Sequence, residues 1–313
     1  MQKLFLRLAL LLGTVALLGG LGIWLGLRRG YVDAFYARFV SPPAGSLVLG
    51  TSRAAQGIKP GILAMRLGKS YEGPWLNYAF TLAESPYGPG YLSSIERKLA
   101  AGTKKGLFVL AVDPWSLSLP KATLVTKPLA FPEAQSMVSQ LASVSQNPNL
   151  DYLAHYLHRP FYQLLLNADT AHVVERLHLD GWLEIALPPP SADTALLRRR
   201  TAEKLATYRK LAATSSAAKA RYASLSETIS FLQKHGQVVL VRVPTGPKMA
   251  ALEKQYQPDF DDQMKELADF KHVSYLNYLD QPYPTNDGNH ITRQAAEQFS
   301  QRLAADIGKI VNE

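Results

Sequence analysis

Three observations in this 313-residue chain predict an α/β fold built on a mainly parallel sheet. Apolar runs of strand length recur near residues 46–49, 107–112, 237–243 and 273–279. Stretches of helical period separate them, and strands alternating with helices make a parallel sheet covered on both faces. The first run, Ser46-Leu47-Val48-Leu49, enters Gly50-Thr51-Ser52-Arg53 and turns towards a helix. That is how an α/β protein presents a side chain at the carboxyl edge of its sheet.

Composition narrows the class. Hydrophobic residues make up 47% of the chain, which excludes a disordered or fibrous protein. The formal net charge of +9 is spread over Arg28-Arg29, Lys104-Lys105, Arg198-Arg199-Arg200 and several helical faces. It favours an anionic membrane surface or polymer. No aromatic-plus-basic repeat accompanies it, so nucleic acid is not an expected partner. With no cysteine in the chain, disulfides and thiolate metal sites are excluded. The seven histidines lack ligand-spaced partners, so neither a metal nor another cofactor is expected.

In chain order, residues 8–27 form an uncharged run long enough to cross a bilayer as a helix. No small-residue cleavage site follows, so residues 1–29 read as a retained anchor, with Trp24 and Arg28-Arg29 at the interface. The charges on either side of the run do not fix its orientation. Residues 30–45 read as an amphipathic juxtamembrane linker, and residues 46–313 as the α/β domain. Within that domain, residues 60–67 and 91–101 read as helices and residues 75–80 as a strand carrying Asn77. Residues 120 to about 190 interrupt the rhythm and read as a helical insertion, ending in Pro188-Pro189-Pro190. Residues 192–235 read as one long helical stretch, broken near Thr214-Ser215-Ser216, that covers the sheet. Residues 248–270 and 291–310 read as the last helices.

Ser52 follows the first strand, and a serine hydroxyl needs an adjacent base to act as a nucleophile near neutral pH. His290, in Asn286-Asp287-Gly288-Asn289-His290, is the best-placed base, with Asp287 three residues before it to fix the imidazole tautomer. The Asp-x-x-His spacing recurs at Asp169/His172 and Asp269/His272. Only Asp287/His290 follows the last strand and precedes the last helix, on the edge expected to carry Ser52. A second Gly-x-Ser, Gly68-Lys69-Ser70, follows a helix and reads as a helix exit. Taken alone, the Asp287 loop also fits an ordinary capped turn.

Gly-x-Ser after the first strand, joined with Asp-x-x-His before the last helix, resembles the SGNH (GDSL-type) hydrolase superfamily. More narrowly, it resembles the membrane-anchored envelope members that work beside membrane-bound O-acyltransferases. The resemblance spans about residues 44–310. It implies a three-layer, flavodoxin-like α/β domain with Ser52 as nucleophile, His290 as base and Asp287 as its orienter. It implies a serine esterase or O-acyltransferase acting on a cell-envelope glycan or related polymer. The setting it implies is the bacterial inner membrane, with one span and the soluble domain on the periplasmic side. A membrane-bound O-acyltransferase is the partner it implies. Two departures stand out. Thr51 replaces the family's aspartate, and Asp113-Pro114-Trp115 stands where an oxyanion asparagine is normal. Asn77 is then the nearest substitute donor, beside Gly50, and Asp113 and Trp115 join the substrate-binding set. Arg53 and Arg242, at predicted strand ends, either position a polar substrate or form structural ion pairs. A non-catalytic accessory subunit of an envelope complex is the main alternative. A carbohydrate-binding module using Trp75, Tyr87 and Trp115 ranks third.

Overall fold

The computed structural model describes residues 2–29, 32–126, 131–157, 174–186 and 194–310. The apolar amino-terminal run forms α1 (Gln2–Arg29), whose Gln2–Gly22 stretch is apolar and long enough to cross a membrane. α2 (Tyr36–Val40) follows, then β1 (Ser46–Leu49), α3 (Ser52–Gly57), α4 (Pro60–Leu67), β2 (Trp75–Asn77), α5 (Pro89–Lys98) and β3 (Gly106–Ala111). After β3 come β4 (Ser118–Pro120), α6 (Lys121–Thr126), a 3₁₀ turn at Pro132–Gln135, α7 (Met137–Gln140) and α8 (Leu150–His155). A hairpin of β5 (Val174–Leu177) and β6 (Leu183–Ala186) leads towards α9 (Thr194–Thr214), β7 (Ser215–Ala217) and α10 (Lys219–Leu232). The rest is β8 (Gly236–Arg242), α11 (Pro247–Tyr256), α12 (Phe260–Lys271), β9 (Ser274–Asn277) and α13 (Arg293–Ile310).

Five strands form one sheet in the order β2-β1-β3-β8-β9, every neighbouring pair parallel. Numbered among themselves they run 2-1-3-4-5, a doubly wound order whose direction reverses between β1 and β3. Strand side chains alternate between faces, so each strand feeds two cores. Leu47, Leu49, Phe108, Leu110 and Leu240 pack with Phe39, Tyr91, Ile229 and Met264, from α2, α5, α10 and α12. Val48, Val109, Val239 and Val241 pack with Ala54, Leu63, Phe299 and Leu303, from α3, α4 and α13. The result is a three-layer body with the sheet in the middle.

Three segments depart from the sequence expectation. The linker expected over residues 30–45 is part of the body from Val32 onward: Val32, Tyr36, Phe39 and Ala44 all lie in the core. Tyr36 and Phe39 bury from one face of α2, three residues apart, while Val32 and Ala44 bury from the chain on either side of it. The helical insertion contains an antiparallel hairpin, pairing Val174 with Ala186 and Leu177 with Leu183. Asp180-Gly181 makes its turn, with Gly181 at φ +80°, and an Asp-Gly pair favours a tight hairpin. Asp169/His172 and Pro188-Pro189-Pro190 lie outside the described residues. Residues 248–270 form two helices, parted at the Gln257-Pro258 junction because proline cannot continue a helix. The break expected near Thr214 is real and is made by β7, which pairs with β4.

Candidate active site

The site is built where β1 and β9 deliver their following loops to the carboxyl edge of the sheet. Gly50 follows β1 at φ +129°, and a Cβ there would sit 2.9 Å from both Ala111 Cβ and the Ala111 carbonyl oxygen. Only glycine fits that turn against the end of β3 without strain. Ser52 then opens α3, with Thr51 as an extended N-cap that makes no side-chain cap bond.

The loop after β9 is shaped by Asp287. Its Oδ1 accepts the backbone N–H groups of Asn289 (2.9 Å) and His290 (2.8 Å), folding the chain tightly around the carboxylate. Gly288, at φ +77°, provides the turn. The Asn286 N–H donates to the His290 carbonyl at 2.8 Å and closes the loop. His290 Nδ1 then lies 2.9 Å from Asp287 Oδ2, and His290 Nε2 lies 2.9 Å from Ser52 Oγ. An ionised carboxylate only accepts, so Nδ1 carries the proton and Nε2 presents its lone pair to the serine hydroxyl. Burial alone would raise the Asp287 pKa. The ring hydrogen bond and charge of His290, with the two N–H bonds, outweigh it and hold the carboxyl well below the usual range.

Behind this chain of bonds lies a buried charge network. Arg53, next to Ser52, donates through Nε (3.0 Å) and Nη2 (2.7 Å) to Asn289 Oδ1, and pairs with Glu253. Asn289 Nδ2 approaches His290 Nε2 at 3.2 Å, so one side chain touches both the serine helix and the histidine. Glu253 also accepts from Trp115 Nε1 at 2.7 Å and from Arg242 at 3.1 Å, while Arg242 pairs with Asp261 as well. Asp113 is buried at the edge of this cluster. Its burial raises the carboxyl pKa, against the pull of Arg53, and its Oδ1 accepts the Ser116 N–H at 2.8 Å.

The structure therefore brings Ser52, His290 and Asp287 together and assigns the other expected residues differently. Asn77 does not face the serine as a free donor: its Nδ2 donates to the Ala54 (2.8 Å) and Ile58 (2.9 Å) carbonyls, and its Oδ1 accepts from the Ala79 N–H. The Gly50 N–H is also engaged, with Tyr91 Oη at 3.1 Å. Arg53 and Arg242 are buried ion-pair partners rather than exposed substrate contacts. Trp115 is buried, stacked on Tyr256 and edge-on to Tyr208. Tyr87 is buried with its hydroxyl on the Ala111 carbonyl, so neither ring offers an open stacking face. The competing pair separates as context predicts, because His272 caps α12 in a left-handed conformation. Gly68 is the C-cap of α4 in a right-handed conformation, a helix exit as its sequence context reads.

Several residues near the site had no readable signal of their own. α9, expected as a plain covering helix, brings Lys204 Nζ within 3.5 Å of Asp287 Oδ2 and Tyr208 Oη within 3.4 Å of Asn289 Nδ2. Glu253 did carry a signal, a lone acid on the face of α11 that buries Met249 and Ala250.

Comparison of the chain with protein-family models, with curated proteins and with solved structures found no match. Fold and geometry alone define the class: a doubly wound α/β protein with a serine–histidine–aspartate hydrogen-bond chain at its carboxyl edge. Among the described residues, no group of three or more histidine, aspartate or glutamate side chains is placed to hold a metal ion.

Proposed function

We propose that this chain is a membrane-anchored serine esterase or O-acyltransferase of SGNH type, acting through an acyl-Ser52 intermediate. The observation that carries the reading is the unbroken path Ser52 Oγ–His290 Nε2 and His290 Nδ1–Asp287 Oδ2, both links at 2.9 Å. Ser52 Oγ attacks an ester carbonyl carbon while its proton passes to His290 Nε2. The imidazolium, stabilised by ionised Asp287, returns that proton to the leaving alkoxide as the ester C–O bond breaks. Water or an acceptor hydroxyl then attacks acyl-Ser52, losing its proton to His290, and the serine is restored. In this reading the Ser52 backbone N–H, in the first turn of α3, supplies a donor to the developing oxyanion.

α1 is apolar and long enough for a single membrane span, and the resemblance to envelope members alone supplies the setting, with the rest of the chain on the extracytoplasmic side of a bacterial inner membrane. The resemblance to envelope members supplies the substrate class, a cell-envelope polymer, and a membrane-bound O-acyltransferase as partner. A second reading, a non-catalytic accessory subunit, is favoured by one observation. The two oxyanion donors expected from sequence, Asn77 Nδ2 and the Gly50 N–H, are committed to protein partners.

Trapping decides between them. The full chain in detergent, treated with a fluorophosphonate, is expected to gain one covalent adduct that peptide mass spectrometry places on Ser52. His290→Ala should slow the adduct's formation by about a hundredfold or more. Adducts that persist in Ser52→Ala, or no adduct on the folded wild type, would favour the accessory reading.

A further inference from the structure

Only residues 30 and 31 separate the end of α1 at Arg29 from Val32, which already lies in the core. From Arg29 to Ala34 the chain reaches at most about 18 Å even when fully extended. The Ala34 carbonyl accepts from Arg38 Nη1 at 2.7 Å, and Arg38 Nε donates to the Asn77 carbonyl at 3.0 Å. Asn77 is the last residue of β2, and its side chain holds the Ala54 and Ile58 carbonyls of the segment that begins at Ser52. The segment that follows α1 thus joins the body near the carboxyl edge of the sheet, the edge that carries Ser52.

Two of the exposed apolar side chains, Leu179 and Leu150, adjoin residues of the same place. Outside α1, the large ones among the described residues are Met65, Leu150, Leu179 and Phe270. Leu179, 91% exposed, stands at the tip of the β5–β6 hairpin. The next residue of that tip, Asp180, accepts the Asn77 N–H through its carbonyl at 2.8 Å. Leu150, 65% exposed, opens α8. α8 is fastened to the juxtamembrane segment: Tyr152 Oη donates to Asp33 Oδ2 at 2.8 Å, and the Asn149 N–H donates to Tyr36 Oη at 3.3 Å. Phe270 lies near the amino end of β9, at the opposite edge.

We propose that the carboxyl edge of the sheet rests on the bilayer that α1 spans, with Leu179 and Leu150 at the lipid interface and Ser52 opening close to its surface. The occupant of these two leucines is lipid, because the short connection from α1 brings the bilayer to them and apolar side chains gain from leaving water there. For the proposed acyl transfer, the consequence is a substrate presented at the membrane surface rather than captured from bulk solvent. The orientation rests on reading α1 as a span, but on no chemistry at Ser52.

The chain has no native cysteine, so single cysteines can be labelled cleanly. Leu17→Cys, Leu150→Cys, Leu179→Cys and Phe270→Cys, each in the full chain and each carrying the environment-sensitive dye NBD, are reconstituted into phosphatidylcholine–phosphatidylglycerol vesicles with or without doxyl-labelled lipid. Leu17, within α1, reports the span itself. Lipid quenching at positions 150 and 179 at least about twofold stronger than at 270, alongside quenching at 17, is the expected result. Quenching at 17 with none above the 270 level at 150 and 179 overturns the docking while leaving the anchor. No quenching at 17 overturns both, and neither result bears on fluorophosphonate capture by Ser52. Shielding of positions 150 and 179 from aqueous iodide without lipid quenching assigns the patch to a second copy and overturns the membrane contact.

Discussion

Arg53 and Glu253 show how a single pair of residues constrains the site. Arg53 holds Asn289 on one side and Glu253 on the other, and Glu253 is fully buried. Removing Arg53 strips both donors from Asn289 Oδ1 but leaves Glu253 paired with Arg242 and Trp115, so the cost is about 1–3 kcal/mol, below that of a wholly unpaired buried charge. Arg53→Met is therefore expected to lower the urea unfolding midpoint by a corresponding amount, and an unchanged midpoint would contradict this account of the pair. Asp287→Asn leaves the loop near its present shape but removes the acceptor that fixes the His290 tautomer. Ester turnover should fall by about a hundredfold to ten-thousandfold, with substrate KM little changed. The residues of this hydrogen-bond chain were readable because each follows a strand. Ser52 stands after the first strand and the Asp287/His290 pair after the last, and strand-end position separated that pair from Asp269/His272. Asn77 was misjudged because it also sits at a strand end. Only the coordinates show that its amide hydrogens already serve the Ala54 and Ile58 carbonyls.

Among the elements, α9 is the one that sequence patterning undervalued. Its surface reads as basic and solvated, and most of it is. Yet the half-buried Tyr208 lies near Arg53, Asp113 and Glu253, and desolvation, helped by the two carboxylates and opposed by Arg53, raises its hydroxyl pKa. It also meets Trp115 and Asn289. No local pattern reveals this, because the contacts join residues more than eighty positions apart. Tyr208→Phe keeps the ring packing and removes one hydroxyl, so stability should change by no more than about 1.5 kcal/mol. Turnover should fall more than the melting temperature implies, because Asn289 is then freer beside His290. A loss fully explained by unfolding would contradict that role. Lys204, about one-third exposed, should matter little, and Lys204→Ala is expected to change turnover by about twofold or less. The β5–β6 hairpin had a usable signal in Asp180-Gly181, outweighed in the sequence reading by the leucine and histidine around it. The five sheet strands lie where apolar runs end in turn residues, and strong runs such as residues 107–112 set their limits within a residue or two.

For the whole molecule, buried titratable groups set how stability depends on pH. Lys98, the last residue of α5, is buried and donates to the Ser41 and Val144 carbonyls at 2.6 Å each, and burial lowers its pKa to about 7. In the unfolded chain the amine titrates near 10.4, so between about pH 7 and pH 10 the unfolded state binds more protons and stability rises with pH. The buried Tyr78, Tyr87 and Tyr91, whose pKa values are raised chiefly by burial, oppose this once the unfolded tyrosines ionise near pH 10. At the acid end, the depressed Asp287 contributes stability above about pH 4 that is lost as pH falls further. Urea midpoints should therefore climb from about pH 7 to about pH 9, and Lys98→Met should flatten that climb. An equal climb in the variant would remove Lys98 as its cause. Sequence patterning captured the sheet-and-helix plan, but not the attachment of residues 32–44 to the body. That attachment depends on Arg38 reaching Asn77, thirty-nine residues away.

The central claim is that Ser52, activated by His290, forms an acyl-enzyme, and pre-steady-state turnover of p-nitrophenyl acetate by the full chain tests it most directly. The account predicts a burst of p-nitrophenol close to one equivalent per chain, lost in Ser52→Ala and in His290→Ala while both variants keep the wild-type fold. Equal turnover in the wild type and in folded Ser52→Ala would contradict it.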